Sequence, residues 1–213
     1  MAWTTALTAV KLFYHRLGIF LLANILWILT SLPLITLPAA TGALFHLVQA
    51  VITEERDLDP RQASLADFWA GFRLHWRRST LLSLLDLAAL FIVVVSMLFY
   101  WRSGVELLHY LIGPIFLVLL LLLAMQLYLF PLLLARPELS TRDLFVAAFW
   151  EVIAQPRDSF LLLAWIFIIA AICIALGGPV LLVLFSLIAV IQMMNLRIIR
   201  IARGEITPVE PKD

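Results

Sequence analysis

Charged side chains are so sparse in this chain that the runs lacking them define its organisation. Leu17 to Thr53 is 37 residues without Asp, Glu, Lys or Arg. As one helix it would extend roughly 55 Å, nearly twice a ~30 Å hydrocarbon core, so two helices fit better than one. Pro33 removes a backbone donor and Pro38 suits the first turn of a new helix, so Pro33-Leu34-Ile35-Thr36-Leu37-Pro38 reads as the connection. Each helix then has about 16 residues, short for a full span. The next run, Ser79 to Trp101, carries a single charge, Asp86. After the polar joint Arg102-Ser103-Gly104-Val105-Glu106, Leu107 to Ala135 is long enough to span with kinks at Gly113-Pro114 and Pro131. The last run, Ser159 to Leu196, is split by Gly177-Gly178-Pro179, which predicts a turn between two spans.

Between these runs lie amphipathic segments. Ser64-Leu65-Ala66-Asp67 and Ser140-Thr141-Arg142-Asp143 carry the Ser-x-x-acid pattern of a helix start. Leu65, Phe68, Trp69, Phe72 and Trp76 then recur at helical spacing, as do Leu144, Phe145, Ala148, Phe149 and Val152. Trp3, Leu7, Val10 and Tyr14 repeat the stripe more weakly. Each segment precedes a polar joint (His15-Arg16, Arg77-Arg78, Pro156-Arg157-Asp158) and then an apolar hairpin. The expected fold class is therefore all-α: a polytopic membrane helix bundle of six transmembrane helices in three hairpins, with cytoplasmic interfacial helices. A single integral membrane domain covers 1–213, divided into units 1–53, 54–135 and 136–203 and a cytoplasmic tail, 204–213.

Composition agrees with lipid as the solvent: 64% of residues are apolar, 14% are charged, and mean hydropathy is +1.05. The net charge of +1 matters less than where the charges fall. On six spans, 14 of the 15 Lys and Arg lie on one side and only Arg102 on the other, so the positive-inside rule makes both termini cytoplasmic in a bacterial cell membrane. Reading Leu17–Thr53 as one span gives a weaker charge bias, and leaves five spans as the alternative. The apolar stretch after Lys11, His15 and Arg16 is too long for a secretory h-region, so it is expected to be retained. With Cys173 alone, neither a disulfide framework nor a thiolate metal cluster is expected.

Asp86 leads the candidates for chemistry, because a carboxylate in hydrocarbon must be protonated, paired or hydrated. It lies eight residues beyond Arg78, and Asn24 eight beyond Arg16, each about 12 Å into the bilayer. His46 and Gln126, approaching from helices of opposite direction, reach comparable depths when counted from Glu54 and Arg136. Asp86, Asn24, His46 and Gln126 are thus expected to share one layer, either as a polar site for a proton or a hydroxyl-rich solute or as hydrogen-bonded glue between helices. Trp69, Phe72, Arg73, Trp76 and Arg77 form a second candidate, a cytoplasmic docking face for a partner or for anionic lipid. Headgroup anchoring explains the same residues. Gln192 and Asn195 are expected near the cytoplasmic face. The sequence lacks His-Glu-x-x-His, Gly-x-x-x-x-Gly-Lys and Gly-x-Ser-x-Gly motifs, and Asp86 is the only acid within a proposed span. No enzymatic activity, cofactor, metal or nucleic-acid partner is expected.

Residues 24–44, with Asn24 ahead of Leu26-Trp27, the Ser31-Leu32-Pro33 turn with Thr36, and the small-residue start Ala39-Ala40-Thr41-Gly42-Ala43, resemble the N-terminal signature of the YesL family of bacterial integral membrane proteins. Phe68-Trp69-Ala70-Gly71-Phe72-Arg73-Leu74-His75-Trp76-Arg77-Arg78-Ser79 is similar to that family's second block. Leu37 stands where members commonly have glycine. The resemblance implies a bundle of five or six transmembrane helices, no assigned catalytic activity, and a genetic setting near carbohydrate uptake systems. Two functions follow as expectations: an accessory or regulatory partner of a membrane transporter, docking through the aromatic-basic helices, or a small transporter or channel whose path passes Asp86.

Overall fold

The computed structural model describes residues 2–55, 62–178 and 180–206, with side chains from Thr8 onward except those of Glu55, Glu106, Leu107, Val180 and Leu181. Arg56, Arg61, Pro179, Lys212, the tail beyond 206 and the side chains of Trp3 and Leu7 lie outside the described residues. The described chain is helical, without strands: α1 (Ala2–His15), α2 (Leu17–Ser31), α3 (Leu37–Glu55), α4 (Leu65–Arg102), α5 (Glu106–His109), α6 (Ile112–Ala135), α7 (Thr141–Ala154), α8 (Pro156–Leu176) and α9 (Phe185–Ala202). Five segments are long and apolar enough to cross a membrane: Leu34–Glu54, α4, α6, α8 and Leu182–Ala202. A sixth is reached if α1 and α2, bent by 90° at Arg16, together count as one.

Local chemistry explains most boundaries. Between α2 and α3 the chain makes one 3-10 turn, Leu34–Thr36, held by the Thr36 hydroxyl donating to the Pro33 carbonyl at 2.7 Å. Pro38 then falls in the first turn of α3, where a missing N–H costs nothing. Both Ser-x-x-acid patterns open helices. The Asp67 carboxylate accepts from the Ser64 amide at 2.8 Å, and the Ser140 hydroxyl accepts from the Asp143 amide at 3.2 Å. Pro156 occupies the first turn of α8 and holds Gln155 out of the helical region, which separates α7 from α8. Gly104 and Gly177 adopt φ of 67° and 71°, the positive values that only glycine takes cheaply, and end α4 and α8.

The expected joint at Arg77-Arg78 is absent. Helix α4 runs unbroken for 38 residues, about 57 Å, so the amphipathic segment from Ser64 and the apolar run from Ser79 are one rod. Arginine is a good helix former, and a change of polarity without proline or glycine leaves the hydrogen-bond ladder intact.

The core gathers Phe20, Leu44, Leu47, Phe68, Leu82, Leu127, Tyr128, Leu132, Leu144, Leu162 and Ile191 from seven helices. Beyond it Leu84, Leu87, Phe91, Ile92, Leu98 and Phe99 of α4, and Phe167, Ile172 and Ile174 of α8, remain exposed on their own helices. Exposed apolar side chains in these numbers belong in lipid rather than water. At the opposite end, polar ties join the helix ends. Arg16 pairs with Glu54, Arg78 donates to the carbonyls of Pro137 (2.6 Å) and Leu139, and Arg203 makes a bidentate pair with Glu151 at 2.7 Å.

Helices α3 and α4 cross closely because glycine faces each contact. A Cβ added at Gly71 would lie 2.5 Å from the His46 Cβ, and one at Gly42 would lie 2.2 Å from the Ser79 Oγ. This crossing fixes the wall of the candidate site.

Candidate functional site

Asp86 sits eight residues past Arg78 on the inner side of α4, three beyond Ser83 and four beyond Leu82, so all three present to the same space. Gln126 on α6 reaches it: the amide Nε2 donates to Asp86 Oδ2 at 3.1 Å. The other carboxylate oxygen, Oδ1, is buried without a hydrogen-bond partner among the described residues. A buried acceptor in that state is costly and marks a place where a proton, water or ligand would be stabilised.

Both residues line a cavity of about 230 Å³. Its polar wall is Asp86, Gln126, Thr41, Ser83 and Gln192; its apolar wall includes Trp27, Phe45, Phe130 and Phe185. The aromatic rings are ordered in pairs, Trp27 stacked on Phe185 at 3.9 Å between centroids and Phe45 on Phe130 at 5.3 Å. Trp27 is further fixed by donating its indole N–H to the Thr41 hydroxyl at 3.1 Å across the α2–α3 turn. Four helices, α3, α4, α6 and α9, thus supply a carboxylate, two amides and two hydroxyls, with rings from α2, α3, α6 and α9. The set can hydrogen-bond a small hydroxylated molecule while stacking its apolar faces, or hold water for a protonatable carboxylate.

Of the four residues expected in one layer, the structure brings together two. Asn24 is fully buried elsewhere, where its Oδ1 accepts from the Ser186 backbone amide at 3.1 Å. Ser186 follows the single π-helical turn Val180–Leu184, and Asn24 supplies an acceptor where the regular ladder is disturbed. His46 faces Gly71 and packs its ring 5.3 Å from that of His75, on the Arg78 side of Asp86. Counting from each helix's own charged end misplaced it, because Glu54 and Arg78 are not level. Thr41, Ser83 and Gln192 were missed as site residues. Ser83 stands one turn from Asp86, and that spacing was the available signal. Gln192 lines the cavity. Asn195 is buried, donating to the Tyr128 hydroxyl at 3.4 Å, which also bonds the Ser159 hydroxyl at 2.7 Å.

On the aromatic-basic stretch of α4, Trp69 and Trp76 are 44% and 49% exposed, Arg73 and Arg77 are exposed, and the Arg77 guanidinium lies 5.3 Å from the Trp76 ring centroid. Phe68, Gly71 and His75 form the buried face, and Phe72 is half-buried against the core. Among the described residues no group of three or more His, Cys, Asp and Glu is placed to hold a metal ion.

Residues 20–97 match a family described as "Protein of unknown function, DUF624". Both sequence blocks quoted above, 24–44 and 68–79, fall inside that stretch, as do Asp86, Ser83 and Thr41. No curated protein matches the chain. No solved structure matches it either.

Proposed function

We propose that this chain is a YesL-type protein of the bacterial cytoplasmic membrane that binds a small polar, hydroxyl-rich solute at Asp86 in the course of its movement into or across the bilayer. Six spans in three hairpins, α2–α3, α4–α6 and α8–α9, carry the site. The arginine-rich end faces the cytoplasm by the positive-inside rule and holds both termini. The observation that carries the reading is the cavity itself: a carboxylate with one unpartnered oxygen, two amides and two hydroxyls beside stacked aromatic rings. A packed, dry interior around Asp86 would have favoured interhelical glue.

Asp86 accepts hydrogen bonds from the solute, Gln126 holds the carboxylate in place, and Trp27 and Phe185 contact the apolar face of the solute. No reaction or cofactor is assigned. The test is uptake or binding of a panel of sugars and polyols by the full chain in proteoliposomes. Asp86→Asn and Gln126→Ala are expected to abolish or sharply weaken the response while the protein still inserts.

A second reading, docking on a membrane transporter subunit or a cytoplasmic partner, draws support from the exposed row Trp69, Arg73, Trp76 and Arg77. It predicts that exchanging Trp69, Phe72 and Arg73 abolishes co-purification of the partner while Asp86→Asn has little effect. That pattern would displace the solute reading.

A further inference from the structure

A second cavity, of about 560 Å³, opens at the arginine-rich end between α3, α6 and α9, one to two turns further along α3 and α9 than the Asp86 site. Its size falls within the range of ligand pockets, ~300–1,000 Å³. The lining is divided by chemistry. Ile52, Ala135, Met193 and Leu196 make an apolar floor, while Gln49, Thr53, Arg197, Arg200 and Glu205 make a polar rim.

Glu205 is the informative residue. It follows α9 and turns back, so that its carboxylate accepts from Arg136 at 2.9 Å and from Arg200 at 3.1 Å. One carboxylate therefore sits between two guanidiniums from different helices, in the geometry those groups offer to a phosphate. Arg203 makes a bidentate pair with Glu151 and also lies 3.9 Å from the other carboxylate oxygen of Glu205. Among Arg136, Arg200, Arg203, Glu151 and Glu205 one positive charge is left over, at a membrane boundary and above an apolar floor. Basic pockets between membrane helices on the cytoplasmic side suit anionic headgroups for this combination of charge and burial.

We propose that this cavity binds a phosphate ester, the headgroup of an anionic phospholipid, and that Glu205 is an intramolecular stand-in for that phosphate. The phosphate takes the guanidiniums of Arg136 and Arg200, Arg197 and Thr53 contribute from the rim, and the lipid's upper acyl segment covers Ile52, Met193 and Leu196. The same oxyanion chemistry is available from free phosphate, so the test must separate the two sources.

The experiment is native mass spectrometry of the full chain in mild detergent, titrated in parallel with phosphatidylglycerol, phosphatidylcholine and inorganic phosphate. Retention of phosphatidylglycerol at least several-fold above phosphatidylcholine, with no response to inorganic phosphate, assigns the lipid headgroup. Binding of inorganic phosphate without lipid preference supports an oxyanion site but overturns the lipid assignment. Arg197→Gln with Arg200→Gln is expected to abolish the preference. Because that variant could lose its fold, Glu205→Gln supplies the opposite test: with the competing carboxylate neutralised, retention of phosphatidylglycerol should rise several-fold, a gain that a misfolded protein does not produce. Equal retention of the two lipids, or a Glu205→Gln variant that binds no better than the natural chain, overturns the proposal.

Discussion

Gly71→Ala isolates one of the two glycine contacts that close the α3–α4 crossing. The added Cβ would stand 2.5 Å from the His46 Cβ, 2.8 Å from its Cγ and 3.0 Å from its Cδ2. Non-bonded carbons settle at about 3.5–4.0 Å, so the shortfall at the closest pair is about 1 Å or more. The atom it meets is the root of the histidine side chain, which no rotamer change removes, so α3 and α4 must separate. Overpacking of this kind costs about 1–3 kcal/mol, and the backbone displacement places Gly71→Ala at the upper end. Helix propensity returns about 1 kcal/mol when alanine replaces glycine. The expected net destabilisation is therefore about 2 kcal/mol, measured by reversible unfolding in mixed micelles or by steric trapping. His46→Ala added to Gly71→Ala should not rescue it, since the His46 Cβ remains. Gly42→Ala meets the Ser79 Oγ first, at 2.2 Å, and the Ser79 Cβ at 3.1 Å, so Ser79→Ala should recover part of its loss. A Gly71→Ala protein as stable as the natural chain, or more stable, would refute the close crossing, because propensity alone predicts a gain.

Two other perturbations follow from named contacts. Tyr128→Phe removes the bonds to Ser159 and Asn195 that join α6, α8 and α9, and should cost about 0.6–1.7 kcal/mol in the same unfolding assay, the range for interhelical hydrogen bonds in membranes. Partial burial acts to raise the Glu205 carboxyl pKa, but hydrogen bonds and charge from Arg136 and Arg200 outweigh it and hold that pKa below its ordinary value of 4.5. A depressed folded-state pKa adds stability that is full above the unfolded value and lost as pH falls through the folded one. The stability difference between the natural chain and Glu205→Gln should therefore be present at pH 7 and shrink below the ordinary carboxylate range, read as melting temperatures across a pH series.

The elements most legible in the sequence were those written in backbone chemistry. Pro33 and Pro38 bracket the α2–α3 turn, Ser64 and Ser140 open α4 and α7, and Gly104 and Gly177 close α4 and α8, because each changes which dihedrals or hydrogen bonds are available. The continuity of α4 was not legible from polarity, since Arg77-Arg78 changes the environment of a helix without breaking it. In the site, Asp86 stood out by its cost in hydrocarbon, and Gln126 by depth along α6. Asn24 and His46 share that depth arithmetic but not the cavity: depth fixes one coordinate, whereas the face each helix presents and the level of its charged end depend on the α3–α4 crossing and on the π-helical turn before α9. Thr41, Ser83 and Gln192 are ordinary in a membrane helix until neighbouring helices bring them beside a carboxylate.

The central claim, that Asp86 faces a hydrated cavity while the far side of α4 faces lipid, is tested most directly by thiol accessibility in a Cys173→Ser background. Ser83→Cys, lining the cavity, and Leu84→Cys, on the exposed apolar face nearly opposite Asp86, would be treated in proteoliposomes with a small water-soluble thiol reagent. The account predicts reaction at position 83, blocked by Asp86-directed solutes, and none at position 84. Reaction at 84 with none at 83, or equal reactivity at both, would contradict it.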